Sequence, residues 1–281
     1  MISVIVPAHN EESVIERCLT ALLDGVQPGE LEIIVVCNGC SDGTAEKARA
    51  FGGPVTVLEL DQASKTAALN AGDAAARGFP RMYVDADVVF PLESIRKVAE
   101  ALAEDGAMLA SPVADSELRM SSAPVRAFYD VWLRLPYNRV MVGTGVYALS
   151  ESGRARFGEF PDIIADDGYV RSRFTPDERV AVEDAPVTVY APRTFGDLVR
   201  VKTRSRVGGY QVAERFPSPE TPDKKSVIAM IRSLPWGIGL PWKVMVYLWV
   251  NLVVRIRAHA RLRSESSMVW DRDSSARAGA K

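Results

Sequence analysis

The chain has 281 residues, of which 47% are hydrophobic and 25% charged, with a formal net charge of −2. That length buries one full-sized core and argues against a second large domain. The near-neutral balance argues against nucleic acid as a partner, and three cysteines without pairing logic agree with a reducing compartment.

The first hundred residues alternate between short apolar runs and helical patterns. Ser3-Val4-Ile5-Val6-Pro7 reads as a strand. Ala8 to Glu12 opens a helix in which Val14, Cys18, Leu19 and Leu22 recur at helical spacing, with Asn10 as the expected cap. Leu31 to Val36 is a second strand, running through Asn38-Gly39-Cys40-Ser41-Asp42-Gly43 into a helix over 44–50. A third, Pro54 to Leu60, leads through Asp61 to Ser64 into the helix 65–77. The fourth, Arg81-Met82-Tyr83-Val84, ends in Asp85-Ala86-Asp87, and a helix over 91–104 follows. This alternation predicts an α/β fold with a doubly wound, mostly parallel sheet, and ligands at the carboxyl ends of its strands.

Two carboxylates one residue apart on an extended backbone point the same way. Such a pair can share a hard divalent cation, Mg²⁺ or Mn²⁺, whose shell substrate phosphates complete. The motif alone is weak, because Asp271-Arg272-Asp273 repeats it in the polar tail. A second acidic pair, Asp166-Asp167, follows Ile163-Ile164-Ala165. Phe128, Tyr129, Trp132, Leu133 and Tyr137 share a helix face and read as packing rather than a sugar platform. Gly143-Thr144-Gly145-Val146-Tyr147 reads as a turn before a short strand, near the acceptor at most. Arg204 and Arg206 suit phosphate contacts, and a solvated basic helix surface is the equal alternative.

Charge is uneven. Residues 193–263 carry 14 Lys/Arg against 4 Asp/Glu, an excess of ten that leaves −12 on the remainder. Three prolines within 217–222 mark a linker, so the expected division is a catalytic domain 1–213, a linker 214–233 and an apolar, basic C-terminal segment 234–281. The catalytic domain divides further into a nucleotide-binding half, 1–112, and an acceptor half, 113–213. The apolar run from Leu234 to Val254 contains Lys243, Asn251 and two prolines, which argue against a simple membrane span. Trp236, Trp242, Tyr247 and Trp249, followed by Arg255, Arg257, Arg261 and Arg263, suit a helix lying on an anionic membrane surface. Burial against the catalytic domain or in a homodimer contact is the alternative. No signal-like segment precedes the first strand, so the expected location is the cytoplasm, peripheral on the inner face of the plasma membrane.

The runs Val4 to Glu12, Val35 to Thr44, Lys65 to Gly72 and Val84 to Asp87, with Ile163 to Val170 after them, are identified as resembling family 2 glycosyltransferases of the glycosyltransferase A-type fold. The resemblance covers roughly residues 1–210. It implies an inverting transfer of a sugar from a nucleoside diphosphate-sugar to an acceptor hydroxyl, one option being a lipid-linked acceptor of the cell envelope. By position it implies that Pro7, Ala8 and Glu11 border the nucleoside and that Asn38 and Lys65 approach the base. Asp85 and Asp87 would meet the ribose and the metal-bound diphosphate, Arg204 and Arg206 the diphosphate, and Asp167 would be the general base, with Asp166 kept in view. A UDP-sugar is the favoured donor, although Asn38 stands where many relatives carry an acid and so leaves the base open.

Three other readings carry less support. Cys37-Asn38-Gly39-Cys40 is a C-x-x-C, but its flanks do not match a thiol redox motif, and too few soft ligands remain for zinc. A sugar-nucleotide pyrophosphorylase would open with a glycine-rich phosphate loop, which Pro7 to Glu12 lacks. A non-catalytic nucleotide-binding or membrane-scaffold protein would not need Asp166-Asp167.

Overall fold

A computed structural model describes residues 1–104, 106–135, 144–216 and 239–264. Tyr137, Gly143, the prolines of the linker, Leu234 to Ile238 with Trp236, and Asp271-Arg272-Asp273 lie outside the described residues.

Seven strands form one sheet: β1 (Ile2–Ala8), β2 (Leu31–Asn38), β3 (Val55–Leu60), β4 (Arg81–Val84), β5 (Leu109–Glu117), β6 (Val146–Leu149) and β7 (Arg179–Tyr190). Their spatial order is β3-β2-β1-β4-β6-β5-β7. All neighbours run parallel except β6, which is antiparallel to both β4 and β5. The strand order reverses between β1 and β4, and that switch point opens a crevice beyond their carboxyl ends. The helices are α1 (Ile15–Leu23), α2 (Thr44–Arg49), α3 (Lys65–Ala75), α4 (Leu92–Ala101), α5 (Ala123–Trp132), α6 (Glu151–Arg154), α7 (Asp166–Arg171), α8 (Phe195–Arg215) and α9 (Leu240–Arg263).

Both faces of the central strands are covered, because successive side chains of a strand point to opposite faces. Val4, Val6, Ile33 and Val35 pack with α1, α2 and α4, whereas Ile5, Ile34 and Val36 pack with α3 and α7. A third cluster lies off the sheet, where Phe128 and Val131 of α5, Leu198 and Val199 of α8 and Val250 and Val254 of α9 meet. Asp73 of α3 fixes β4 from one side. Its carboxylate accepts from Tyr83 Oη at 2.6 Å and pairs with Arg81 and Arg154, each at 2.8 Å.

Two sequence expectations change here. Asn10 does not cap α1, which starts at Ile15 without a side-chain cap. With φ at +52°, Asn10 turns the chain through the left-handed region, and its Oδ1 accepts from the Ser41 amide at 2.6 Å. The β1–α1 loop is thereby clipped to the β2–α2 loop. Thr44 Oγ1 adds a second clip, accepting from the Glu11 amide at 2.7 Å. Tyr247 is the other case. It is buried and stacks on Phe128 at 5.4 Å, because it lies on the α9 face that packs against α5 and α8.

The opposite face of α9 is exposed and apolar, with Trp242, Met245, Trp249, Leu252 and Ile256 following one another at helical spacing. Lys243 is anchored to Asp130 of α5. Among the described residues no helix is long and apolar enough to cross a membrane.

Candidate active site

The carboxyl ends of β1, β2 and β4 open into a single cavity of about 1320 Å³, which α7, α8 and α9 close on the far side. Pro7, Glu11, Asn38, Lys65, Asp85, Asp87, Asp166, Asp167, Arg204 and Arg206 all line it. Ala8 does not. Its side chain is buried, and its carbonyl accepts from Asn38 Nδ2 at 2.9 Å. That bond fixes the Asn38 amide, whose Oδ1 is buried with no hydrogen-bond partner. A buried acceptor left in this state favours a ligand that brings an N–H. His9 Nδ1 lies 2.5 Å from the Asn38 carbonyl and ties the two loops together.

Asp85 and Asp87 lie in the turn after β4, not on an extended strand. That both line the cavity is therefore a property of the turn and not of strand alternation. The turn is held from β6, since the Asp85 amide donates to the Gly145 carbonyl at 2.8 Å. Gly145 sits at φ +66°, and a Cβ there would come within 2.8 Å of Val88 Cγ1 and 3.3 Å of Asp85 Oδ2. The glycine read as turn punctuation thus keeps room for a carboxylate.

Lys65, at the first turn of α3, joins the two acidic motifs. Its Nζ lies 2.7 Å from Asp85 Oδ1 and 3.0 Å from Asp166 Oδ1. Burial alone would lower its pKa, but the Asp166 and Asp85 charges outweigh that and hold the ammonium well above the usual lysine range. Ser64 seats this turn by capping α3 through Oγ, which accepts from the Ala67 amide at 3.2 Å.

The two residues of the second acidic pair differ sharply. Asp166 is buried, with Oδ1 on Lys65 and Oδ2 accepting from Tyr147 Oη at 3.1 Å. Burial, followed by the Asp166 charge, raises the Tyr147 phenol well above its ordinary range, so the phenol remains a donor. The sequence names Tyr147 only as part of the turn-and-strand segment from Gly143, and its bond to Asp166 is not legible there. Its partner lies 19 residues away and on another element, and no local pattern announces the pair. Asp167 accepts from the Gly168 amide at 2.7 Å and is otherwise exposed on the cavity wall. The enclosing walls and the neighbouring Asp166 push its carboxyl up to about 6, while Lys65 acts in the opposite direction.

The carboxylates fit a hard divalent cation. The donors are oxygens, and no group of three or more Asp, Glu, His or Cys among the described residues forms a complete cage. Two carboxylates plus phosphate oxygens are what Mg²⁺ or Mn²⁺ accepts at such a site. Arg204 reaches the cavity from α8. Arg206, one helical turn beyond Lys202, donates from Nη2 to Asn251 Oδ1 of α9 at 3.0 Å.

Residues 3–146 match the family model described as Glycosyl transferase family 2. Among curated proteins, glycosyltransferase AglE of Haloferax volcanii is 36% identical over 91 residues, covering 31% of this chain and 30% of AglE. The probable glycosyltransferase YdaM of Bacillus subtilis is 35% identical over 94 residues, covering 31% of this chain and 22% of YdaM. These matches therefore span less than a third of either relative. Among solved structures, mannosyltransferase PcManGT from Pyrobaculum calidifontis, in complex with GDP-Man and Mn²⁺, superposes with a TM-score of 0.65 at 22% identity, covering 95% of this chain and 79% of that one. Glucosyl-3-phosphoglycerate synthase from Mycobacterium tuberculosis, in complex with Mn²⁺, UDP and glucosyl-3-phosphoglycerate, superposes with a TM-score of 0.58 at 21% identity, covering 79% and 81%. At these identities the likeness is one of fold, the glycosyltransferase arrangement of a mostly parallel sheet with flanking helices.

Proposed function

Because the chain belongs to glycosyl transferase family 2, we propose that it moves a sugar, with inversion, from a nucleoside diphosphate-sugar to an acceptor hydroxyl. The observation that carries this reading is one cavity holding both acidic motifs, joined by Lys65. Neither motif alone would need the other.

Asp85 and Asp87 are the residues that would hold Mg²⁺ or Mn²⁺ together with the donor diphosphate. When bound, the ion stabilises charge on the departing diphosphate as a Lewis acid. Pro7 and Glu11 border the nucleoside, Ala8 fixes Asn38 through its carbonyl, and the unpartnered Asn38 Oδ1 accepts an N–H of the base. Uracil and guanine both offer one, and the solved neighbours include structures with UDP and with GDP-Man. Lys65 neutralises Asp85 and Asp166 within the closed site. Arg204 serves the diphosphate. Asp167 takes the proton of the acceptor hydroxyl, since a carboxyl titrating near 6 is ionised at neutral pH and still basic enough to accept it. Asp166 has both oxygens engaged and positions Lys65 and Tyr147.

In this reading residues 1–213 are the catalytic unit, residues 214–233 link it to the C-terminal segment, and the exposed apolar face of α9 with its following arginines rests on the cytoplasmic leaflet. A lipid-borne acceptor follows from that placement, because enzyme and substrate would then meet in two dimensions. The test is a thermal-shift panel of UDP, GDP, ADP and CDP, each with Mn²⁺ and with EDTA. A nucleotide that stabilises only with metal, and loses this in Asp87→Ala while Asp271→Ala retains it, is the expected result. Equal behaviour of the two variants would sink the assignment.

A further inference from the structure

The cavity has a second, basic arm away from the carboxylates. Lys202 and Arg206 of α8 stand one turn apart on its wall, and Arg255 of α9 joins them. Lys202 Nζ lies 4.0 Å from the centre of the Trp132 ring and 5.2 Å from that of Tyr129. The only hydrogen bond Arg206 makes among the described residues goes to a neutral amide, Asn251. Among the described residues none of the three cations meets a carboxylate, in contrast to Lys65, which has two.

Lys202 and Arg206 repel each other, burial of the lysine strengthens that repulsion, and Arg255 adds a further positive charge at the exposed edge of the same cavity. Aromatic faces attract a cation without neutralising it. Burial, followed by the Arg206 charge, pushes the Lys202 ammonium down to about 8. The size agrees. A pocket for one small ligand measures roughly 300–1,000 Å³, and this cavity, at about 1320 Å³, has room for donor and acceptor together.

We propose that this arm is an anionic subsite for the acceptor, in which Lys202, Arg206 and Arg255 hold a phosphate ester that the acceptor carries. Two guanidinium forks and an ammonium suit the three free oxygens of a phosphate monoester. Trp132 and Tyr129 lie beneath it as a surface for the adjoining apolar or sugar portion. The assignment rests on the glycosyltransferase reading of the acidic end, which supplies the donor.

Calorimetry of the full chain with farnesyl phosphate, farnesol and glycerol 3-phosphate tests it. Farnesyl phosphate should bind the wild type and farnesol should not. Lys202→Met, which keeps the apolar stem, should weaken phosphate binding by ~10-fold or more, and Lys202→Arg should restore most of it. Arg255→Gln, at an exposed position where folding is not at stake, should weaken it in the same direction. Binding of glycerol 3-phosphate as well as farnesyl phosphate assigns the site to the phosphate itself, and binding of farnesyl phosphate alone assigns it to a lipid-borne phosphate. Mn²⁺-dependent nucleotide binding, measured on the same samples, should be unchanged in all three variants. The inference is overturned if neither phosphate binds the wild type, or if both bind Lys202→Met and Arg255→Gln as they bind the wild type. Concurrent loss of nucleotide binding in Lys202→Met would assign Lys202 to the donor side and overturn it too. A wild type that binds no nucleotide fails the donor reading itself and takes the acceptor site with it.

Discussion

At the residue scale, Asp166 and Asp167 are adjacent carboxylates with different work. The difference comes from their partners. Asp166 is spent on Lys65 and Tyr147, whereas Asp167 opens to the cavity, whose enclosing walls and the neighbouring Asp166 raise its carboxyl to about 6. Asp167→Asn keeps size and polarity but cannot take a proton, so turnover should fall by ~10²-fold or more while donor affinity holds. A parallel loss of donor affinity, read by calorimetry, would place this residue on the metal or the diphosphate instead. The sign of the pH dependence follows from the raised pKa. The base is lost by protonation as pH falls through about 6, so kcat/KM should rise with pH through that value and level off above it. A profile flat from pH 5 to 8 would exclude Asp167 as the base. Gly145 offers a third check, because its Cβ has no room beside Val88 and its φ is positive. Gly145→Val should displace Asp85 and weaken metal-dependent nucleotide binding by ~10-fold or more. Binding at the wild-type level would show that the turn after β4 does not depend on β6.

At the scale of elements, α9 is a helix with two apolar faces. One carries Val246, Tyr247, Val250, Val254 and Ala258 and completes a core with α5 and α8. Removing a large aromatic from that core, as in Tyr247→Ala, should cost ~3–5 kcal/mol in denaturant unfolding. A cost near zero would mean that the helix does not pack there in solution. The other face exposes Trp242 at 51% and Trp249 at 57%, more than packing on the catalytic unit explains. Arg257, Arg261 and Arg263 follow it, and each contributes ~1 kcal/mol near an anionic surface, screened by salt. Replacing the three by Ser should release the protein from anionic liposomes in a flotation assay. Trp242→Ser and Trp249→Ser should weaken binding through lost insertion. Wild-type protein that stays at the bottom at low salt, and sediments as a dimer, would give the face to a second copy of the chain.

At the scale of the whole molecule, the sheet brings loops from four strands to one edge, and α8 and α9 close the cavity opposite them. A nucleotide that binds only this folded arrangement should stabilise it by ~2.7 kcal/mol at a hundredfold excess over Kd. The sequence by itself determined the first four strands, the helices that alternate with them, and the strand ends at which Pro7, Asn38 and Asp85 fall, with Lys65 opening the helix after the third strand. Those features are local, because hydrophobic period and turn residues are written within windows of ten residues. Chain proximity also misled in places. Asn10 looked like a cap because it precedes a helical pattern, yet its bond runs to Ser41 on the neighbouring loop. Tyr247 looked like an interfacial aromatic because it lies among tryptophans, yet its helix face is turned inward. Only the tertiary structure decided that Lys65 joins Asp85 to Asp166, that Tyr147 holds Asp166, and that Lys202, Arg206 and Arg255 line the same cavity. Each of those relations links residues from different elements. Their energy arises from charges and hydrogen bonds across space, on which no single stretch of the chain carries an imprint.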